Sequence, residues 1–288
     1  MRSFSAAVCT LLCVMLLSAS AQAQPKPAYQ IFTADGKTTD FGVMLQFMQD
    51  KEVILFGEYH NNAIAHWLQL ELTKAIGDQK TITLGAEMFE ADNQQALNNY
   101  LAGKISAKGL DSSARLWKNY NTDYAPLVNY AKAKNYAFIA TNIPRKYASL
   151  VAKGGFEALD TLSSLEKSWM MPLPVLYDSN LACYKNMLTM MGGHGGPNLP
   201  KAQAAKDATM AHFILANLKA GVPFIHYNGS YHSDNFESIN WYLKKGKPGI
   251  RIGTISTVSQ KDLAALEKDN LGKADFIIVV DEDMTNTY

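Results

Sequence analysis

Cysteine is nearly absent. The 288 residues hold three, and two of them, Cys9 and Cys13, fall in an apolar stretch near the N-terminus. Residues 1–23 read as a secretory signal: Arg2 gives the positive start, Ala6–Leu17 the apolar stretch and Ala21-Gln22-Ala23 the small-x-small cleavage site. Its cysteines sit too early for a lipoprotein reading, so a plain signal is expected, with Gln24 as the first mature residue. Cys183 then stands alone, which excludes an internal disulfide. An excess of charge of either sign is also lacking. The chain has 27 basic and 26 acidic residues, and losing Arg2 with the signal makes the two equal. A neutral chain has no basic field to attract nucleic acid, so no nucleic-acid partner is expected. No second apolar run is long enough to span a bilayer. No Gly-x-Ser-x-Gly elbow, Gly-x-x-x-x-Gly-Lys loop or His-Glu-x-x-His run occurs, which leaves three common chemistries without their motifs. The expected location is therefore exported: the periplasm or the cell envelope.

What is present is an alternation of strand and helix. Val53–Phe56 is fully apolar, the mark of a strand buried on both faces. Asn61 or Asn62 can cap the helix that follows, which carries Ile64, Trp67, Leu68, Leu70, Leu72 and Ile76. Further strands are expected at Thr81–Leu84, Tyr136–Thr141, Pro223–Tyr227, Ile250–Thr254 and Phe276–Val280, with an edge strand at Tyr29–Phe32. Pro144 suits the first turn of a helix. Between Gly154 and Lys219 no strand is expected. This is an α/β pattern: a mostly parallel sheet flanked by helices, with an inserted smaller all-helical cap. The expected division is residues 24–153, first part of the α/β domain; 154–219, the cap; and 220–288, its second part.

Polar residues gather where the strands end. Gly57-Glu58-Tyr59-His60 follows the first apolar strand and Glu87 the second. Asn142 and Arg145 follow the third, and Gly229-Ser230-Tyr231-His232 the fourth. In open parallel sheets, ligands bind beyond the carboxyl ends of the strands. Glu58, His60, Glu87 and His232 are the candidate catalytic residues, and the same four suit Mn, Co or Zn as metal ligands or, equally, a hydrogen-bonded polar cluster that holds no metal. The glycine before each histidine is expected to let the backbone turn sharply. Any one pair alone would be ordinary loop polarity. His66 reads as a helix-face residue, since six residues from His60 is not one face. His226 lies in an apolar strand, where a core role and a functional one weigh equally. His212 reads as solvent-facing on a helix. His194 sits in a glycine loop that can close on a ligand or serve as plain linker. Arg145 can meet a carboxylate or propionate, although an Arg at a helix start is more often structural. The methionines Met170, Met171, Met187, Met190 and Met191 suit core filling or a flat apolar ligand.

Five segments together resemble the ChaN-like family of haem-binding uptake proteins, in the Tiki superfamily. They are Gly57–Asn62 with His66, Glu87–Glu90, Ala140–Arg145, Lys206–Ala211 and Asn228–His232, and the likeness runs from about Lys51 to Val258. It implies an α/β domain with a smaller helical part and haem binding in iron acquisition at the envelope. It also implies a tyrosine ligand in some members, a homodimer enclosing the haems and an outer-membrane haem receptor as partner. For haem the expected contacts are Arg145, Tyr124, Tyr177, Tyr184 and His194, with Tyr120 and Tyr147 in the same region. The wider superfamily implies metal-dependent hydrolysis of a peptide or ester at His60, His232 and Glu58 or Glu87. A plain envelope binding module is the third reading. Family members are often lipoproteins, which this signal does not suggest.

Overall fold

The computed structural model describes residues 26–190 and 196–288. The expected signal at residues 1–23, and also His194 and Met191, lie outside the described residues. Eight strands form one sheet: β1 Tyr29–Thr33, β2 Thr38–Thr39, β3 Val53–Glu58, β4 Thr83–Glu90, β5 Phe138–Asn142, β6 Phe224–Gly229, β7 Ile252–Gln260 and β8 Phe276–Asp281. Their order is β2-β1-β8-β7-β3-β6-β4-β5. The six strands from β8 to β5 run parallel, and β1 and β2 add antiparallel pairs. The α/β reading holds. Tyr29–Phe32 is a strand but not the edge, because the short β2 covers it.

Among the described residues, ten helices connect and cover the sheet: α1 Phe41–Met48, α2 Ala63–Gly77, α3 Gln94–Leu101, α4 Ala107–Ser113, α5 Ala125–Lys134, α6 Arg145–Gly154, α7 Ser164–Lys167, α8 Ala182–Met190, α9 Leu199–Ala216 and α10 Ile239–Gly246. Alternation in β3 feeds two layers. Ile54 and Phe56 join the core under α1, α2, α3 and α5. Val53 and Leu55 join the one under α6, α9 and α10. Asn62 caps α2 by accepting from Ala65 N at 2.9 Å. Ala65, Leu68, Leu72 and Ile76 then line its buried side, at the spacing of one helix face. Pro144 is the N-cap of α6 rather than its first helical residue. No strand lies among the described residues of 154–219. The longest helix there, α9, packs into the second core with Phe224 of β6, so it covers the sheet directly.

The site's location follows from strand order. After β3 the chain crosses to β4 on one side; after β6 it crosses to β7 on the other. Neighbouring strands whose connections part leave a crevice at their carboxyl ends. Glu58 and Gly229 are directly paired at that point.

Candidate functional site

Two glycines lock the crevice together by being small. A Cβ on Gly229 would sit 2.9 Å from the His60 ring, and one on Gly57 would sit 2.9 Å from Ser230 Cα. Neither glycine has positive φ; Gly229 is at −56°. The sharp-turn role expected of them is thus corrected: they permit close approach of β3 and β6, and so of the side chains that follow.

The four expected residues do meet, as two histidine–carboxylate pairs. Glu58 is buried, and its Oε1 accepts from His60 Nδ1 at 2.9 Å and from Tyr124 O–H at 2.7 Å. Its Oε2 accepts from Gln69 Nε2 at 2.5 Å, with His66 Nδ1 at 3.5 Å. Glu87 Oε2 accepts from Gly229 N at 2.8 Å, and its Oε1 lies 3.2 Å from His232 Nε2. Asp207 of α9 holds the other side of that ring, Oδ1 to Nδ1 at 2.5 Å, and itself accepts from Tyr184 O–H at 2.8 Å.

These contacts set the protonation of the second pair. Burial works against a charged His232, but Glu87 and Asp207 outweigh it and push its pKa up to about 10. Burial likewise opposes the Glu87 charge, and the His232 cation overrides it, holding the carboxyl below its ordinary range. Burial pushes the Asp207 carboxyl up. For His60, burial lowers and the Glu58 hydrogen bond raises; the net direction is up. His60 also keeps about a third of its side chain exposed, and its ring meets Trp117 in a T-shaped contact with the ring centroids 4.8 Å apart.

The metal-ligand role open to these four gains no support from the placement of their side chains. Among the described residues, no three His, Cys, Asp or Glu side chains are arranged to hold a metal ion. The reason is visible in the pairing: Glu58 spends both oxygens on protein donors and His232 spends both nitrogens on carboxylates. His66, expected on an outer helix face, is buried at the site. Its Nε2 is 3.0 Å from the His60 carbonyl oxygen and 3.5 Å from Asp123 Oδ2. His226 is a core residue, held between Thr141 and Asn228; burial brings its pKa down to about 4. His212 is half-buried rather than solvent-facing, and burial lowers its pKa.

The aromatic and methionine candidates divide in the same way. Tyr124 and Tyr184 are buried, their hydroxyls committed to carboxylates. Tyr120 and Tyr147 are buried too, the latter bonded to Glu166. Tyr177 is half-buried against Phe156 and Tyr184. Met170 and Met171 fill the second core. Residues not named as site candidates from the sequence complete the site: Gln69, Asn119, Asp123, Asp207, Trp117 and Tyr288. Asp123 and Tyr124 come from a π-type turn, Tyr120–Tyr124, a feature frequent at functional sites. Asp207 had a readable signal, its place in the Lys206–Ala211 segment of the family resemblance.

Outside these pairs lies open space. A cleft of about 790 Å³ is lined by Leu116, Trp117, Lys118, Pro144, Arg145 and Tyr288, among others. Arg115 on its wall is neutralised by Glu90 and Asp92. Arg145 and Lys118 have no such partner among the described residues. A deeper pocket of about 450 Å³ shares Trp117 and Arg145 and reaches His60 and Glu87. Tyr288 is exposed at the cleft. Its segment is tied to the site by Thr287, which donates from Oγ1 to Asp123 Oδ2 at 2.8 Å and from N to Asn61 O at 2.9 Å.

Comparison with known proteins places this geometry. Residues 44–243 match one protein family, described as haem-binding uptake, Tiki superfamily, ChaN. Among solved structures, one described as cofacial haem binding to ChaN of Campylobacter jejuni aligns with a TM-score of 0.66 and 17% identity, over 88% of this chain and 96% of that one. A succinoglycan biosynthesis protein aligns with a TM-score of 0.51 and 10% identity, over 83% and 90%. At these identities the likeness is one of fold. No curated protein matches the sequence.

Proposed function

Since this chain belongs to the haem-binding uptake family of the Tiki superfamily, we propose that it binds haem, in the cleft outside the His60 pair, for iron acquisition at the cell envelope. The observation that carries this reading is the cleft's composition. Apolar surface from Leu116, Trp117 and Pro144 suits a flat macrocycle, and Arg145 and Lys118 stand ready for its propionates. A cation with no protein partner beside apolar surface fits a ligand that is apolar across its plane and acidic at one edge.

Haem would supply an iron centre able to take a protein donor. The donors facing the open space are the Tyr288 phenol in the cleft and His60 in the pocket behind it. Tyr124 and Tyr184 would have to leave buried carboxylates to serve. Two haems face to face, as the Campylobacter protein is described, would here need a second copy of the chain over the cleft mouth. Export as a mature chain beginning at Gln24, and transfer to or from an outer-membrane haem receptor, complete the reading. Hemin titration tests it: purified protein should shift the Soret band to saturation, and Tyr288→Phe or His60→Ala should alter the ligand-field bands. A spectrum identical to free hemin would end the proposal.

The metal-dependent hydrolase reading gains no support from the geometry, since the ligand donors face one another. Elemental analysis of protein prepared without chelator tests it directly, and zinc, manganese or cobalt at one atom per chain would revive it.

A further inference from the structure

The deeper pocket carries a demand that haem does not meet. Asn142 ends β5 and is buried, 8% exposed. Its Nδ2 donates to the Glu87 carbonyl oxygen at 3.0 Å, which fixes the amide's orientation. Its Oδ1 is then buried with no partner, and Asn142 lines the pocket. A buried acceptor without a donor is unfavourable, and native proteins nearly always satisfy one. An ionised propionate offers only acceptors, so haem leaves this atom as it is.

The rest of the lining narrows what would satisfy it. Beside Asn142 stands the Glu87 carboxylate, also an acceptor. Arg145 and Lys206 provide cations in the same pocket, and neither forms an ion pair among the described residues. Ala148, Leu199 and Ala202 give an apolar wall from α6 and α9. Acceptors, cations and an apolar wall together ask for N–H donors, a carboxylate and an aliphatic side chain in one small molecule.

We propose that this pocket is a binding site for a free amino acid or short peptide with an aliphatic side chain, its nitrogen donating to Asn142 Oδ1 and its carboxylate meeting Arg145 and Lys206. The site shares Arg145 with the haem reading but not Asn142, Lys206 or the α6–α9 wall, and it is tested on haem-free protein.

Calorimetry with the full mature chain uses three probes: alanyl-leucine, its C-terminal amide and 4-methylpentanoate. The amide lacks the carboxylate, and the acid lacks the N–H groups. Alanyl-leucine should bind saturably and each analogue about tenfold more weakly. Asn142→Leu should abolish the preference over 4-methylpentanoate. Arg145→Met, an exposed change that leaves the fold intact, should abolish the preference over the amide, so the test survives if Asn142→Leu does not fold. No saturable binding of alanyl-leucine at millimolar concentration, or equal binding of 4-methylpentanoate, would overturn the proposal. Neither result bears on hemin binding.

Discussion

Two stretches of the one carboxyl edge of the parallel sheet are built to different plans. At the end of β7, Gln260 is buried and fully occupied. It donates to Asp262 O and Ala265 O, each at 3.0 Å, and accepts from Glu267 N and Asn270 Nδ2. Nothing is left over, and the effect is to pin a loop. At the ends of β3, β4, β5 and β6 the buried groups are charged pairs, and some capacity is unspent: His60 is part-exposed, Asn142 Oδ1 has no donor, and Arg145 has no acid. Closed polarity fastens; polarity with one side open awaits a ligand. Burying carboxylates in this manner is costly unless each is paired, so the second plan asks more of the fold than the first.

The largest effect should come from breaking the paired end. Asp207→Ala leaves the His232 cation with Glu87 as its one carboxylate and takes the carboxylate from the Tyr184 hydroxyl, and should cost about 3–5 kcal/mol in urea unfolding. A loss below that of Gln260→Leu would erase the contrast. Gln260→Leu strands the Glu267 and Asn270 donors and should cost about 1–3 kcal/mol, with hemin binding unchanged.

The pH dependence comes next. His232 has a pKa of about 10 in the folded chain against an ordinary 6.5. The folded state then holds a proton that the unfolded state has lost. The stability it gives is whole below pH 6.5 and drains away as pH rises through about 10. His232→Gln should flatten that alkaline slope in thermal melts, whereas Gln260→Leu should leave it. His226 acts in the opposite sense: held at about 4, it removes stability as pH falls from 6.5 towards 4.

Trp117→Ala should weaken hemin binding about tenfold in Soret titrations while costing only about 1 kcal/mol of stability. The smallest effect should be that of chelation. Excess EDTA should leave the melting temperature in place, since the donors at the paired end are already satisfied by one another. A fall in melting temperature would show that a metal holds the pairs together.

Much of this was legible in the chain itself. The apolar run Val53–Phe56 announces a doubly buried strand, and the strand–helix alternation announces the parallel sheet. The convergence of Glu58, His60, Glu87 and His232 follows from their places at strand ends. What stayed hidden depends on contacts distant in sequence. His66 looks like a surface residue until Asp123, 57 positions later, is folded against it. Tyr288 belongs to the cleft only because Thr287 bonds to Asp123 and Asn61. The two glycines were right in place and wrong in reason: periodicity reveals a strand's end, but not which neighbour presses against it. Nor does spacing tell a ring of metal ligands from two self-satisfied pairs, because the difference lies in side-chain direction.

Paramagnetic broadening of the backbone amide spectrum by bound ferric haem tests the division between the two ends most directly. Amides of Trp117, Lys118 and Arg145 should broaden away at one haem per site while those around Gln260 and Asn270 stay sharp. Broadening centred elsewhere, or none with saturating hemin, would contradict a haem seat at the open end of the sheet.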